Sequence, residues 1–124
     1  MFPIEIRAWD IEAKQMLSWK ELQAEWESEG YFDSVLSGDH WIPMLFTGLT
    51  DCKGNKIFEG DVCGYKGDPS TFIVIFEKCA FRKKYFRHKW DSSIEFPILE
   101  QWDVDNIGMH VIGNIYENPE LLKG

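Results

Sequence analysis

The side chains able to do chemistry in this chain of 124 residues fall into three groups: carboxylates, scattered histidines and cysteines, and a run of cations laced with rings. Glu59 with Asp61, and Glu100 with Asp103 and Asp105, have the spacing of an acid–base pair or an oxygen-ligand metal site. In a strand, residues i and i+2 share a face, which would bring Glu59 and Asp61 together. Gly60-Asp61 nevertheless reads as a turn, where aspartate normally accepts from nearby backbone N–H groups. Asp10 and Asp51 also fall in turn-like stretches. Turn construction, not catalysis, is the expected work of these carboxylates.

The histidines, at 40, 88 and 110, are far apart and show neither HxH nor HExxH spacing. Cys52, Cys63 and Cys79 are odd in number and lack CxxC spacing, which argues against a disulfide framework and for a reduced cytosolic setting. Gly64-Tyr65-Lys66-Gly67-Asp68 lacks the Walker spacing and the helix that should follow it. No nucleophile, metal or cofactor site is expected.

The third group is the most suggestive. Lys78, Arg82, Lys83, Lys84, Arg87, His88 and Lys89 alternate irregularly with Phe81, Tyr85, Phe86 and Trp90. Cations for phosphate and ring faces for bases are what single-stranded nucleic acid requires. Arg82, Lys83, Lys84, Tyr85 and Arg87 are therefore the candidate contacts to nucleic acid or to a protein partner. Two features oppose a nucleic-acid role. The formal net charge is −8, and the alternation does not put Tyr85 and the cations on one clean face. The competing expectation is a hairpin with its rings in the core and its cations in solvent or facing an acidic neighbour. Residues 66–90 hold 7 Lys or Arg against 2 Asp or Glu, between flanks that hold 5 against 12 and 1 against 7. Such segregation favours pairing within the chain or across a subunit contact.

The elements that position these groups are mostly short strands. Phe2–Trp9 alternates as a strand, and Gln15–Leu17 returns along it. Ser18 with Glu21 forms a capping-box pattern that opens a helix over about 18–28, with Trp19, Leu22 and Trp26 on one face. Trp41–Phe46, Ile57-Phe58, Val62–Tyr65, Phe72–Phe76, Phe81–Trp90 and Met109–Ile112 read as further strands. Phe72–Phe76 is the most apolar run and suits a central strand buried on both faces. The acidic stretch Trp102–Asn106 reads as a turn. Asn118 as N-cap and Pro119 at the first helical position predict a terminal helical turn. Six Trp, nine Phe and four Tyr require a core or an interface built from rings. No apolar stretch is long enough to cross a membrane as a helix, and Met1–Glu5 does not read as a secretory leader.

Three blocks of this sequence resemble the YopX family of phage and prophage proteins. They are Ile6-Arg7-Ala8-Trp9-Asp10 with Lys14 and Met16; Thr47-Gly48-Leu49-Thr50-Asp51 with Gly54 and Ile57–Val62; and Val111–Leu121. The family often has Gln before the aromatic-Thr-Gly triplet, where this chain has Leu45. Residues 18–40 and 66–104 follow no pattern of the family. The resemblance implies a mainly β fold, a phage or integrated-prophage origin and self-association. It implies no activity and supplies no catalytic residues.

The chain is thus expected to be a single domain over 1–124, a mainly β, partly open barrel or sandwich with one helix in its first half and a short C-terminal helical turn. The expected function is that of a non-enzymatic phage or prophage accessory protein in the bacterial cytoplasm. It would use no cofactor, act through homo-oligomerisation and an unidentified protein partner, and have no membrane association. The alternative is a nucleic-acid-binding module using segment 78–90.

Overall fold

In the computed structural model, which describes residues 5–29, 41–86 and 96–122, strands dominate. The fold class expected from the sequence is the one observed. The chain divides into two units, Met1–Phe46 and Thr47–Gly124.

In the first unit, β1 (Ile6–Asp10) lies between β2 (Gln15–Leu17) and β3 (Trp41–Thr50). Ala8 of β1 faces Leu17 on one side and Pro43 on the other. The alternation of β1 buries Ile6 and Ala8. Asp10 builds the β1–β2 turn: its Oδ1 accepts from the backbone N–H groups of Glu12 and Ala13, each at 3.0 Å. Helix α1 (Trp19–Glu29) starts as the sequence predicts. The Ser18 hydroxyl accepts from Glu21 N–H at 3.2 Å, and the Glu21 carboxylate accepts from Ser18 N–H at 3.3 Å. Leu22 is fully buried with Ile6, Ala8 and Leu17, and Trp19 and Trp41 pack against this cluster. The Trp26 side chain lies outside the described residues, as do His40, Arg87 and His88.

β3 continues into the second unit, and β4 (Lys56–Phe58) lies beside it in the sheet order. The larger sheet runs β7-β6-β5-β8, all antiparallel, with β5 (Asp61–Tyr65), β6 (Asp68–Glu77), β7 (Ala80–Tyr85) and β8 (His110–Asn114). Ile57, Cys63, Tyr65, Phe72, Val74, Leu99, Val104 and Met109 form its core. β6 is a central strand, but only one face is fully buried, at Phe72 and Val74, while Ile73 and Ile75 on the other face are half-buried. Phe76 is 48% exposed and rests edge-on against Phe81, ring centroids 5.0 Å apart.

Residues 101–107 correct the sequence reading. They form a helix, α2 (Gln101–Ile107), not a turn. Asp103 Oδ2 accepts from Glu100 N–H at 2.9 Å, so an acidic side chain caps the helix that its own residue belongs to. Val104 docks in the core. Gly108, at φ 69°, ends the helix, and its N–H returns to Val104 O at 3.3 Å. The signals were an acidic residue at the third helical position and a glycine just past the last turn. The final element is the expected terminal turn, a 3-10 turn over Pro119–Leu122 in which Leu121 N–H donates to Asn118 O at 3.0 Å.

The β6–β7 hairpin closes in two residues, since Glu77 pairs with Ala80. Both turn residues, Lys78 at φ 52° and Cys79 at φ 61°, have left-handed backbone without being glycine. The Arg82 guanidinium holds this turn: Nε donates to Glu77 O at 2.9 Å and Nη2 to Lys78 O at 3.5 Å. Replacing the pair with Asn-Gly (Lys78→Asn with Cys79→Gly) should stabilise the protein by about 1 kcal/mol, because the left-handed penalty is removed. Urea unfolding measures this, and an unchanged or lowered midpoint would show that the turn carries no strain.

Candidate functional site

Among the described residues, a dense set of polar contacts lies where the turn after β3 meets β8. Asp51 is buried there and accepts four hydrogen bonds. Oδ1 takes the N–H groups of Lys53 at 2.9 Å and Asn55 at 2.8 Å. Oδ2 takes the Asn55 amide at 3.3 Å and the N–H of Val111, in β8, at 2.9 Å. Beside it, Cys52 N–H donates to Met109 O at 3.4 Å. Gly54, at φ 87°, makes the tight return between these donors possible. Burial pushes the Asp51 carboxyl up, but the N–H groups of Val111, Asn55 and Lys53 and the Asn55 amide outweigh it, holding the carboxyl below its ordinary 3.8. A carboxylate saturated in this way is a structural anion with no lone pair directed at a substrate.

The neighbouring residues behave alike. Thr47 Oγ1 donates to Ile57 O at 2.7 Å and accepts from Leu49 N–H at 3.1 Å. Asp61, fully buried, accepts from Phe58 N–H at 2.7 Å. Gly60 donates to Val74 O at 2.8 Å and accepts from Ile115 N–H at 3.0 Å, so it joins β6 to the residue after β8. At that end, Asn114 Oδ1 accepts from the N–H groups of Tyr116 at 3.0 Å and Glu117 at 2.8 Å. Asn118 Oδ1 accepts from Asn114 N–H at 3.2 Å. Gly113 lies beneath this knot: a Cβ there would meet Asn118 Oδ1 at 2.6 Å and Leu121 Cδ1 at 2.7 Å.

The five candidate contact residues of the basic segment are dispersed. Arg82 and Lys83 are buried. Besides holding the hairpin turn, Arg82 donates through Nη1 to Phe96 O at 2.9 Å. Lys83 forms an ion pair with Asp103 of α2, Nζ to Oδ1 at 2.8 Å. Lys84 is exposed, and Arg87 lies outside the described residues. Tyr85 OH lies 2.6 Å from Tyr65 OH, and both rings pack with Phe72. Burial first, then the Tyr85 hydroxyl, pushes the Tyr65 phenol well above its usual range, so Tyr65 keeps its proton. This arrangement realises the competing expectation for Lys83: a cation facing an acidic neighbour.

His110 Nδ1 lies 3.0 Å from Gly108 O. Among the described residues no group of three or more His, Cys, Asp or Glu side chains could hold a metal ion. No helix among them is long and apolar enough to cross a membrane.

A family profile described as YopX protein matches residues 5–123. The chain belongs to the YopX family. Among solved structures, the YopX-family chain is similar to protein EF1440 from Enterococcus faecalis, at 23% identity and a TM-score of 0.66, over 98% of this chain and 99% of that one. At that identity the likeness is one of fold. No curated protein matches the chain. The second and third family-like blocks thus contain Asp51, Asp61, Gly113, Asn114 and Asn118, whose tasks are to hold the backbone.

Sequence reasoning missed the Lys83–Asp103 pair and the contact of Asp51 with Val111, which lies 60 residues away. The charge segregation hinted at the first, whereas nothing local to Asp51 indicates the second.

Two substitutions test the knot. Since the Asp51 carboxyl is lowered, its stabilisation is complete above pH 3.8 and is lost as pH falls through its folded value. Asp51→Asn should cost roughly 1–3 kcal/mol at pH 7, and its deficit against wild type should shrink on acidification to pH ~3. Chemical denaturation at the two pH values reads this, and a deficit independent of pH contradicts it. Gly113→Ala should destabilise by about 1–3 kcal/mol through overpacking against Asn118 and Leu121, visible as a lower thermal midpoint.

Proposed function

We propose that this protein acts by binding protein surfaces, its own copies first, and catalyses no reaction. A phage or prophage accessory role in the bacterial cytoplasm fits this reading. The observation that carries it is a division of labour in the second unit. Asp51, Asp61, Asn114 and Asn118 are committed to internal hydrogen bonds, while large apolar side chains remain in solvent. Phe76 is 48% exposed, Ile98 48% and Trp102 57%. Aromatic anchors of this type dominate association energies, Trp above all. A nucleic-acid role for segment 78–90 is less well supported, because Arg82 and Lys83 are spent on internal partners.

Size-exclusion chromatography with light scattering across a concentration series is the test. The expected result is a dimer or larger assembly whose dissociation constant rises about 10- to 30-fold in Trp102→Ala or Phe76→Ser, the loss of roughly 2 kcal/mol that one anchor supplies. A strict monomer at high protein concentration removes the self-association reading.

A further inference from the structure

Arg82 and Lys83 are adjacent in β7, so their side chains leave opposite faces of the sheet. Both nevertheless reach the same downstream segment. Arg82 donates to Phe96 O at 2.9 Å, and Lys83 pairs with Asp103 at 2.8 Å. Between these points the segment runs along the β7 edge. Lys83 N–H donates to Pro97 O at 2.8 Å, Leu99 N–H donates to Phe81 O at 2.9 Å, and Ile98 bridges to Arg82. Residues 96–107 are therefore a strap that wraps the sheet edge, with one buckle on each face.

The strap's own resources are small. α2 has seven residues, far fewer than a helix needs to persist alone in water. Leu99 and Val104 are the strap's only buried apolar side chains, beside the buried Asp103 buckle, whereas Ile98 and Trp102 face solvent. Undocking and unwinding must then be a single event. What holds the strap down is its contact with the core cluster, which includes Tyr65 and Phe72 and has Tyr85 packed against it, together with the Pro97 and Leu99 backbone hydrogen bonds to β7 and the two buckles.

We infer that residues 96–107 form a latch that opens as one unit ahead of the β5–β6 sheet, with Arg82 and Lys83 as its paired fastenings and the aromatic core face as the surface that opening uncovers. Segments that move in regulated proteins come from this low-stability end of the fold. The inference does not depend on self-association.

Amide hydrogen exchange followed by mass spectrometry on the full chain tests it. In the wild-type protein, amides of 99–108 should exchange together, at least about tenfold faster than those of β5 and β6. Asp103→Asn keeps the shape of the buckle and Arg82→Lys keeps its charge. Each should speed exchange in 99–108 by about tenfold further while changing β5 and β6 less than about twofold. Exchange of 99–108 at the rate of the sheet in wild type overturns the latch, and that arm stands even if a variant fails to fold. Equal acceleration of strap and sheet in both variants also overturns it.

Discussion

The hydrogen bond from Val111 N–H to the Asp51 carboxylate is the contact on which much of the second unit depends. β8 is the last strand of its sheet, and the outer N–H groups of such a strand have no neighbouring strand to take them. Asp51 supplies an acceptor in place of that strand, and at the far end of β8 the Asn118 side chain does the same for Asn114. The register of β8 with β5 slips between Val62 and Cys63, so the strand is least regular where the outside acceptors grip it. A neutral hydroxyl at position 51 could not serve so many donors. The charge is what allows one side chain to close its own turn and hold a distant strand.

A second constraint is the two-residue period of β7. A cluster of cations in sequence reads as a basic surface only if they share a face, and in a strand adjacent residues do not. Arg82 is directed to the backbone oxygens of a strained turn and of Phe96, and Lys83 to an acidic helix. Burying either charge has a desolvation cost that is compensated only by good local partners, and both have them. Two cations of the basic island, Arg82 and Lys83, are thus taken up by the fold. One link between the island and its acidic flank is the Lys83–Asp103 pair, within the chain.

The parts of the fold that were legible in the sequence are those set by neighbours in the chain. The Ser18–Glu21 box, the Asp10 turn and the turn that starts at Pro119 depend on residues within four positions and are formed as read, although the Asn118 side chain, read as that turn's cap, accepts from Asn114 N–H instead. α2 carries its signals in the Glu100–Asp103 capping pattern and in Gly108, whereas its acidic content alone suits a turn equally well. The Asp51–Val111 and Lys83–Asp103 contacts were not legible. They arise from sheet order and register, and periodicity alone does not reveal which strand ends beside which turn.

The same division bears on what family membership can mean for this protein. The blocks that carry the YopX character contain Thr47, Gly54, Asp51, Gly60, Asp61, Gly113, Asn114 and Asn118, and each has a backbone task with a distance or an angle attached to it. Sequence restrictions of this kind follow from steric and hydrogen-bond demands that would be identical whatever the protein binds. A shared pattern built from them transmits a fold and is silent on partners. The exposed apolar residues Phe76, Ile98 and Trp102 answer to none of those demands and lie in 66–104, outside the family-like blocks. If relatives differ in what they bind, that exposed segment is where the physical freedom to differ resides.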